Sequence, residues 1–262
     1  MELAHRMSNP RKYCLRTFIS SFLILLSFQA PVAYAHKHTE IKSLHFAKVL
    51  SSANQSVAFL LLQEIYKRAG ITISATDMSS KRSLAETSRG HLDGELLRIQ
   101  SLTNRHPSLI RIPTAVYHIQ TQLFSTQTNL KYQEINDQFW SSGKFAAVSG
   151  ILHSAQLVKK HDIQNVQKLV DLKQMLKFVS LGRAEIGITS RLNGLRYLNQ
   201  YPGYKLRTFS QPLKTQALYH YLHKTHKALV PIIDSIIREM YVSGELEKLT
   251  KKFEQQVLEE PF

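Results

Sequence analysis

From Ser43 onward, short alternating runs and longer helical runs of apolar positions succeed one another along the chain. Ser43 to Leu50 reads as a strand, and Ser51, Ser52 and Asn54 behind it supply capping groups for a helix. That helix, roughly Gln55 to Ala69, sets Val57, Leu61 and Ile65 on one face, with Leu62 and Ala69 beside them, and Gly70 stops it. Ile71 to Ala75 follows as a strand rich in β-branched residues. Strand, helix and strand within so short a span have the size of a βαβ unit on a parallel sheet. The next stretch, Lys81 to Ile99, repeats the move: a short helical pattern closes on Gly90, and His91 to Ile99 alternates as a third strand around Asp93, Gly94 and Glu95.

Pro107 and Pro113 interrupt the pattern around Ser108 to Ile112, and Val116 to Ser125 then alternates again. A crossover between two lobes is placed near Thr114 to Ile119. The second half opens with a strand over Lys144 to Ser149 and a helix over Ser154 to Lys160. A strand over Ile163 to Val166, a helix over Leu169 to Phe178, a stop at Gly182 and a strand over Glu185 to Thr189 complete it. The chain then returns through a strand at Ala217 to Leu222. Leu229, Ile232, Ile233, Ile236, Ile237 and Met240 recur at helical spacing, with Pro231 in the tolerant first turn. After Gly244 a last helix carries Leu246, Leu249, Phe253 and Val257 on one side. The expected fold is α/β: two doubly wound lobes joined by a two-segment hinge.

The first 35 residues do not read as part of that fold. Arg11, Lys12 and Arg16 precede an apolar run from Phe18 to Phe28, and Val32 to Ala35 has the small-x-small form of a signal-peptidase site. The expectation is a signal peptide over residues 1–35, cleaved after Ala35, and a periplasmic address; an uncleaved anchor is the alternative. The run is shorter than the roughly 20 apolar residues of a membrane span. Cys14, the one cysteine, would leave with the peptide. A disulfide framework, a cysteine nucleophile and a thiolate zinc site are then excluded.

Charge is the unusual part of the composition. The 262 residues include 34 Lys or Arg and 19 Asp or Glu, a formal net charge of +15. Four of those bases and one acid fall in the first 35 residues, so 30 bases and 18 acids remain, net +12. A surface of that sign draws anions, or is simply a solvated basic face, since the bases are scattered. With 43% hydrophobic residues, a sizeable core can be buried.

Four stretches, RSLAETSRGHLDGELLRI, GKFAAVSGILHSAQ, MLKFVSLGRAEIGITS and PIIDSIIREMYVSGELEKLTKKF, in that order, resemble bacterial extracellular solute-binding proteins of family 3, the type II periplasmic binding-protein fold. Together they span nearly all of the chain after residue 40. The resemblance implies a first, discontinuous lobe over 36–116 and 217–262, a second over 117–216, and final helices that fold back on the first. It also implies a cleft that closes over ligand without chemistry. The partners would be a small polar or anionic solute and a membrane permease or sensor protein, with no nucleic acid, and the protein would be a monomer.

In such a cleft, helix N-termini and guanidinium groups hold carboxylates. The first-lobe candidates are Arg98 and Arg105. Arg105 falls near the family's carboxylate-holding arginine, and Arg98 replaces a small hydroxyl residue and would crowd that pocket. Glu95 would accept from a ligand amine or hydroxyl, or pair with Arg98; Asp93 would cap the turn around Gly94. Tyr117, at the crossover, would stack on ligand or pack in the hinge. In the second lobe, Gly150 and His153 lie on the family's strand-to-helix turn, and an imidazole there can switch charge at mildly acid pH. Ser190, followed by Arg191, stands where amino-acid binders place an aspartate for the ligand's ammonium, which disfavours a free α-amino acid.

Enzyme signatures are missing: there is no GxSxG, HExxH or Walker loop, so no catalytic residue, metal ligand or cofactor is expected. His36 and His38, at the expected new N-terminus, read as a tail. No basic stripe with interleaved aromatics marks a nucleic-acid partner. Two readings stay open: a binding protein feeding an importer, and a transport-independent sensory or envelope-interaction module on the same fold.

Overall fold

The computed structural model describes residues 41–126, 134–209 and 211–260. The expected signal peptide, its cleavage after Ala35, Cys14, His36 and His38 lie outside these.

The first half runs β1 (Ser43–Val49), α1 (Ala53–Arg68), β2 (Thr72–Met78), α2 (Ser80–Ser88), β3 (Gly94–Arg98) and β4 (Leu109–Arg111). Ser52 caps α1 as its composition suggests, its hydroxyl accepting from the Gln55 N–H at 3.4 Å. β1 pairs in parallel with both β2 and β3. β5 (Tyr117–Thr126) then leads into α3 (Asp137–Ser142), β6 (Phe145–Val148), α4 (Leu152–Lys160), β7 (Val166–Leu169), α5 (Leu172–Ser180), β8 (Ile186–Ser190), α6 (Arg191–Gln200) and β9 (Leu206–Thr208). β6 is parallel to β7 and β8. β10 (Lys214–His223), α7 (Val230–Val242) and α8 (Glu245–Glu259) complete the described chain.

Among the described residues the strand order is β2-β1-β3-β10-β5-β8-β6-β7, with β4 on β10 and β9 on β5. β10 joins the two sets of parallel strands. Its residues 214–218 pair with β5, and residues 219–223 pair with β3 and β4. Gly94 is required at that junction, because a Cβ there would lie 2.1 Å from the Tyr221 carbonyl oxygen.

The buried apolar residues fall into separate clusters. The largest packs Phe46, Val57, Leu61, Ile65 and Leu96 against Ile233, Ile237, Met240, Phe253 and Val257 of α7 and α8. Two others lie wholly within residues 123–213. One is built around Phe139, Trp140, Phe145 and Ile188; the other around Phe124, Met175, Leu176 and Tyr197. The final helices thus cover the first sheet, as the resemblance implied. The chain is α/β, with the two-lobed architecture expected of it.

One strand is displaced from its expected place. Ile163 to Val166 does not form a strand; β7 starts at Val166. The cause is how α4 ends. Asp162 takes a left-handed conformation (φ 47°), its N–H bonds Lys159 O, and the Ile163 N–H reaches back to Val158 O. This is a Schellman closure. It uses Ile163 as the hydrophobic residue just beyond the helix end, and Ile163 joins the core beside Leu157. Helices α1, α2 and α5 close in the same way on Gly70, Gly90 and Gly182, where the stop was legible.

Candidate functional site

A groove of ≈ 400 Å³ lies where β10 passes between the two sets of strands. The segment 99–104 at the carboxyl end of β3 supplies one wall, with Ser101, Thr103 and Asn104; Arg111 of β4, Gln156 of α4 and Gln216 of β10 supply the rest. The segment is held in place by Tyr221, whose hydroxyl donates to Ile99 O at 2.6 Å and Gln100 O at 3.0 Å. Burial pushes that phenol up to about 12, so it remains a donor at ordinary pH.

Arg111 is brought in by register. It sits opposite Tyr221 on the antiparallel β4–β10 pair, and its guanidinium carbon lies 4.4 Å from the ring centroid of Tyr219. This is a cation–π contact, and the guanidinium makes no hydrogen bond or ion pair among the described residues. The Gln216 side-chain oxygen, Oε1, is buried without a hydrogen-bond partner among the described residues. Lys214 donates to the Gln156 Oε1 at 3.0 Å.

The expected site residues are distributed differently. The Glu95 carboxylate is buried and accepts from the Ser83 hydroxyl (2.6 Å) and the Thr87 hydroxyl (3.0 Å), and from the Arg98 Nε at 2.8 Å. The Arg98 guanidinium also donates to the hydroxyls of Ser80 (2.8 Å) and Ser83 (2.9 Å). Of the alternatives for Glu95, the structure contains the pairing with Arg98, and neither residue lines the groove. Arg105 is exposed and also lies outside the lining. Asp93 does not cap the Gly94 turn; its oxygens meet the His45 N–H and the His226 Nε2, each at 2.6 Å.

Tyr117 is buried, and its hydroxyl donates to Glu254 Oε1 of α8 at 2.6 Å. Burial and that carboxylate raise its pKa. Gly150 is exposed with φ 78°, at the turn before α4. His153 is buried, with Nδ1 3.1 Å from the Thr121 hydroxyl. Burial, aided by Lys214, pushes its pKa down to about 4, so it stays neutral at mildly acid pH and the expected charge switch there is corrected.

Ser190 is fully buried at the N-cap of α6, its hydroxyl accepting from the Asn193 N–H at 3.3 Å. The same oxygen accepts from Asn54 Nδ2 of α1 at 2.7 Å, and Asn193 Oδ1 accepts from the Ala53 N–H at 2.8 Å. Two helix N-termini, one from each half, therefore bond each other reciprocally. Arg191 is exposed beside them.

Sequence reasoning missed Arg111, Gln156 and Gln216. Arg111 lies between the prolines that were read only as a break, and its aromatic partner is distant in sequence. No cluster of three metal-ligating side chains occurs among the described residues, and no described helix is long and apolar enough to cross a membrane.

No protein-family model matches the chain, and no curated protein matches it. Solved structures do. An amino acid ABC transporter substrate-binding protein from Streptococcus pneumoniae, bound to L-arginine, is similar over 83% of this chain and 97% of its own, at 17% identity and a TM-score of 0.66. A histidine kinase sensor domain with similarity to periplasmic binding proteins matches over 82% and 97%, at 10% identity and a TM-score of 0.67. The GluR0 ligand-binding core complexed with L-glutamate matches over 80% and 97%, at 10% identity and a TM-score of 0.68. The chain thus has the two-lobed fold of extracellular solute-binding proteins. That fold carries basic and acidic ligands, transporters and sensors alike, so the ligand is a property of the site rather than of the fold.

Proposed function

We propose that the protein is a periplasmic solute-binding protein that captures a small, polar, anionic solute between its lobes and performs no chemistry on it. The observation that carries this reading is the make-up of the groove. Its lining comes from the 99–104 segment and Arg111 on one side, from Gln156 on the other, and from Gln216 on the strand running through both. A ligand held there touches both halves, and binding energy can then favour closure about β5 and β10. The anion contact is Arg111, not Arg98, whose guanidinium is occupied by Glu95, Ser80 and Ser83. A membrane importer is the partner that such closure would signal to.

The bond from Asn54 to Ser190 favours a second reading, a sensory module. It joins the halves with protein groups alone at the position where the resemblance puts a ligand-binding aspartate. Calorimetry of the purified protein against organic acids, acidic amino acids and short peptides tests the first reading, together with small-angle scattering for a compaction on binding. Saturable binding with compaction is expected. No binding across such a panel would overturn solute capture. Adjacent permease and ATPase genes would favour import, and an adjacent sensor gene the second reading.

A further inference from the structure

We propose, building on the solute-binding reading, that the groove selects carboxylates whose neighbouring polar group is a neutral N–H or O–H donor, namely hydroxy acids and N-acylated amino acids, and rejects free α-amino acids. The first ground is charge. Arg111 is the cation on the lining, and no lining residue carries a carboxylate. Arg111 makes no ion pair or hydrogen bond among the described residues, and its guanidinium carbon lies over the Tyr219 ring, so its N–H groups have no acceptor among those residues. That is the geometry for a forked bond to a carboxylate.

The second ground is the absence of a counter-charge for an ammonium. An ammonium brings three donors and a full positive charge, and taking it out of water without a carboxylate leaves that charge unpaired, which is unfavourable. The groove adds repulsion instead. Lys214 places its own ammonium at the edge, bonded to Gln156 Oε1 at 3.0 Å. Glu95, on the strand that leads into the 99–104 wall, is engaged with Arg98, Ser83 and Thr87.

The third ground is an unmet acceptor. The Gln216 Oε1 is buried without a partner among the described residues, a state that a single neutral donor from a ligand would relieve. Because Lys214 takes the Gln156 oxygen, the amide N–H edge of Gln156 is what remains to meet a ligand oxygen. One forked cation, one acceptor and one donor in ≈ 400 Å³ match an acid of a few carbons bearing a hydroxyl or an acylamino group.

Calorimetry with matched probes tests this: 2-hydroxyglutarate, glutarate and L-glutamate, then N-acetyl-L-glutamine and L-glutamine. The hydroxy acid and the N-acetyl compound are expected to bind at least about tenfold tighter than the amino acids of the same skeleton. Glutarate, which lacks the donor, should fall between them. Gln216→Met should erase the preference of hydroxy acid over glutarate. Arg111→Lys, which keeps a cation beside Tyr219, should weaken every acid about tenfold or more, because one point charge replaces a fork. Amino acids binding as tightly as their hydroxy or N-acetyl counterparts would overturn the selectivity and leave solute capture standing. Binding unaffected by either substitution would move the site away from this groove. If no probe binds, and none of the broader panel does, solute capture falls and this inference with it.

Discussion

The carboxyl ends of β3 and β8 are counterparts, each the strand exit next to the long antiparallel pair, yet their polar side chains are engaged in opposite ways. At β3, Glu95 and Arg98 bond each other and the hydroxyls of α2, all within the first half. At β8, Ser190 bonds Asn54 of α1, and Asn193 bonds the backbone of Ala53, both across the halves. The first arrangement ties one half to itself. The second ties the two halves to each other. Polar groups at equivalent places thus hold a single half together in one case and, under the proposed closure, would resist the parting of the lobes in the other.

The contrast is broken most severely at Arg98. Arg98→Ala leaves the Glu95 carboxylate buried without its cation and is expected to cost about 3–5 kcal/mol in urea unfolding. Scattering should show unchanged dimensions for whatever fraction remains folded. Glu95→Gln in the same background should recover part of that loss, since a neutral amide does not need the guanidinium.

Next in size is pH. His220 is buried in the first half, with Nε2 accepting from the Tyr66 hydroxyl at 2.8 Å and Nδ1 donating to Glu95 O at 2.9 Å. Burial pushes its pKa down to about 4, as it does for His153 in the second half. Both imidazoles take up a proton more readily unfolded, where the pKa is 6.5, than folded. Their contribution is therefore intact above about pH 6.5 and is lost as pH falls toward 4, by about 3 kcal/mol for each. Denaturation midpoints across that range should decline, and His153→Gln should flatten the decline without abolishing it.

Smaller effects are expected between the halves. Ser190→Ala and Asn54→Ala should each cost about 1–2 kcal/mol, through the lost cap and the lost buried bond. A double-mutant cycle should give a coupling near 1 kcal/mol, and scattering should show an expanded average shape, unlike the Arg98 variant. A coupling of zero would dissolve the contrast with β3. Least of all, Asp162→Gly should stabilise by up to about 1 kcal/mol, because glycine takes the left-handed turn without a Cβ penalty.

Asp162 also shows what could and could not be read in advance. Helices ending on Gly70, Gly90 and Gly182 were delimited from pattern alone, because glycine at that position has one main physical use. The same closure on an aspartate carried no such mark, and the following strand was placed three residues early. Ser190 was read as a pocket residue because a resemblance supplied its position. Its N-cap role depends on α6, whose sequence RLNGLRYLNQ has too weak an apolar face to be recognised as a helix beforehand. For Glu95 the sequence leaves two roles open, a ligand contact or a pairing with Arg98, and that α2 brings Ser80, Ser83 and Thr87 to the pair is a matter of packing. Arg111 needed a partner more than a hundred residues away, and local pattern holds no trace of such a neighbour.

The largest apolar cluster draws on both early and late segments of the chain, from Phe46 and Val57 to Phe253 and Val257. During synthesis, Val57, Leu61 and Ile65 emerge long before the helices that cover them, whereas the clusters within residues 123–213 hold all their members much sooner. The half made first is thus finished last, and while it waits it presents a greasy helix face to any chaperone that binds nascent chains.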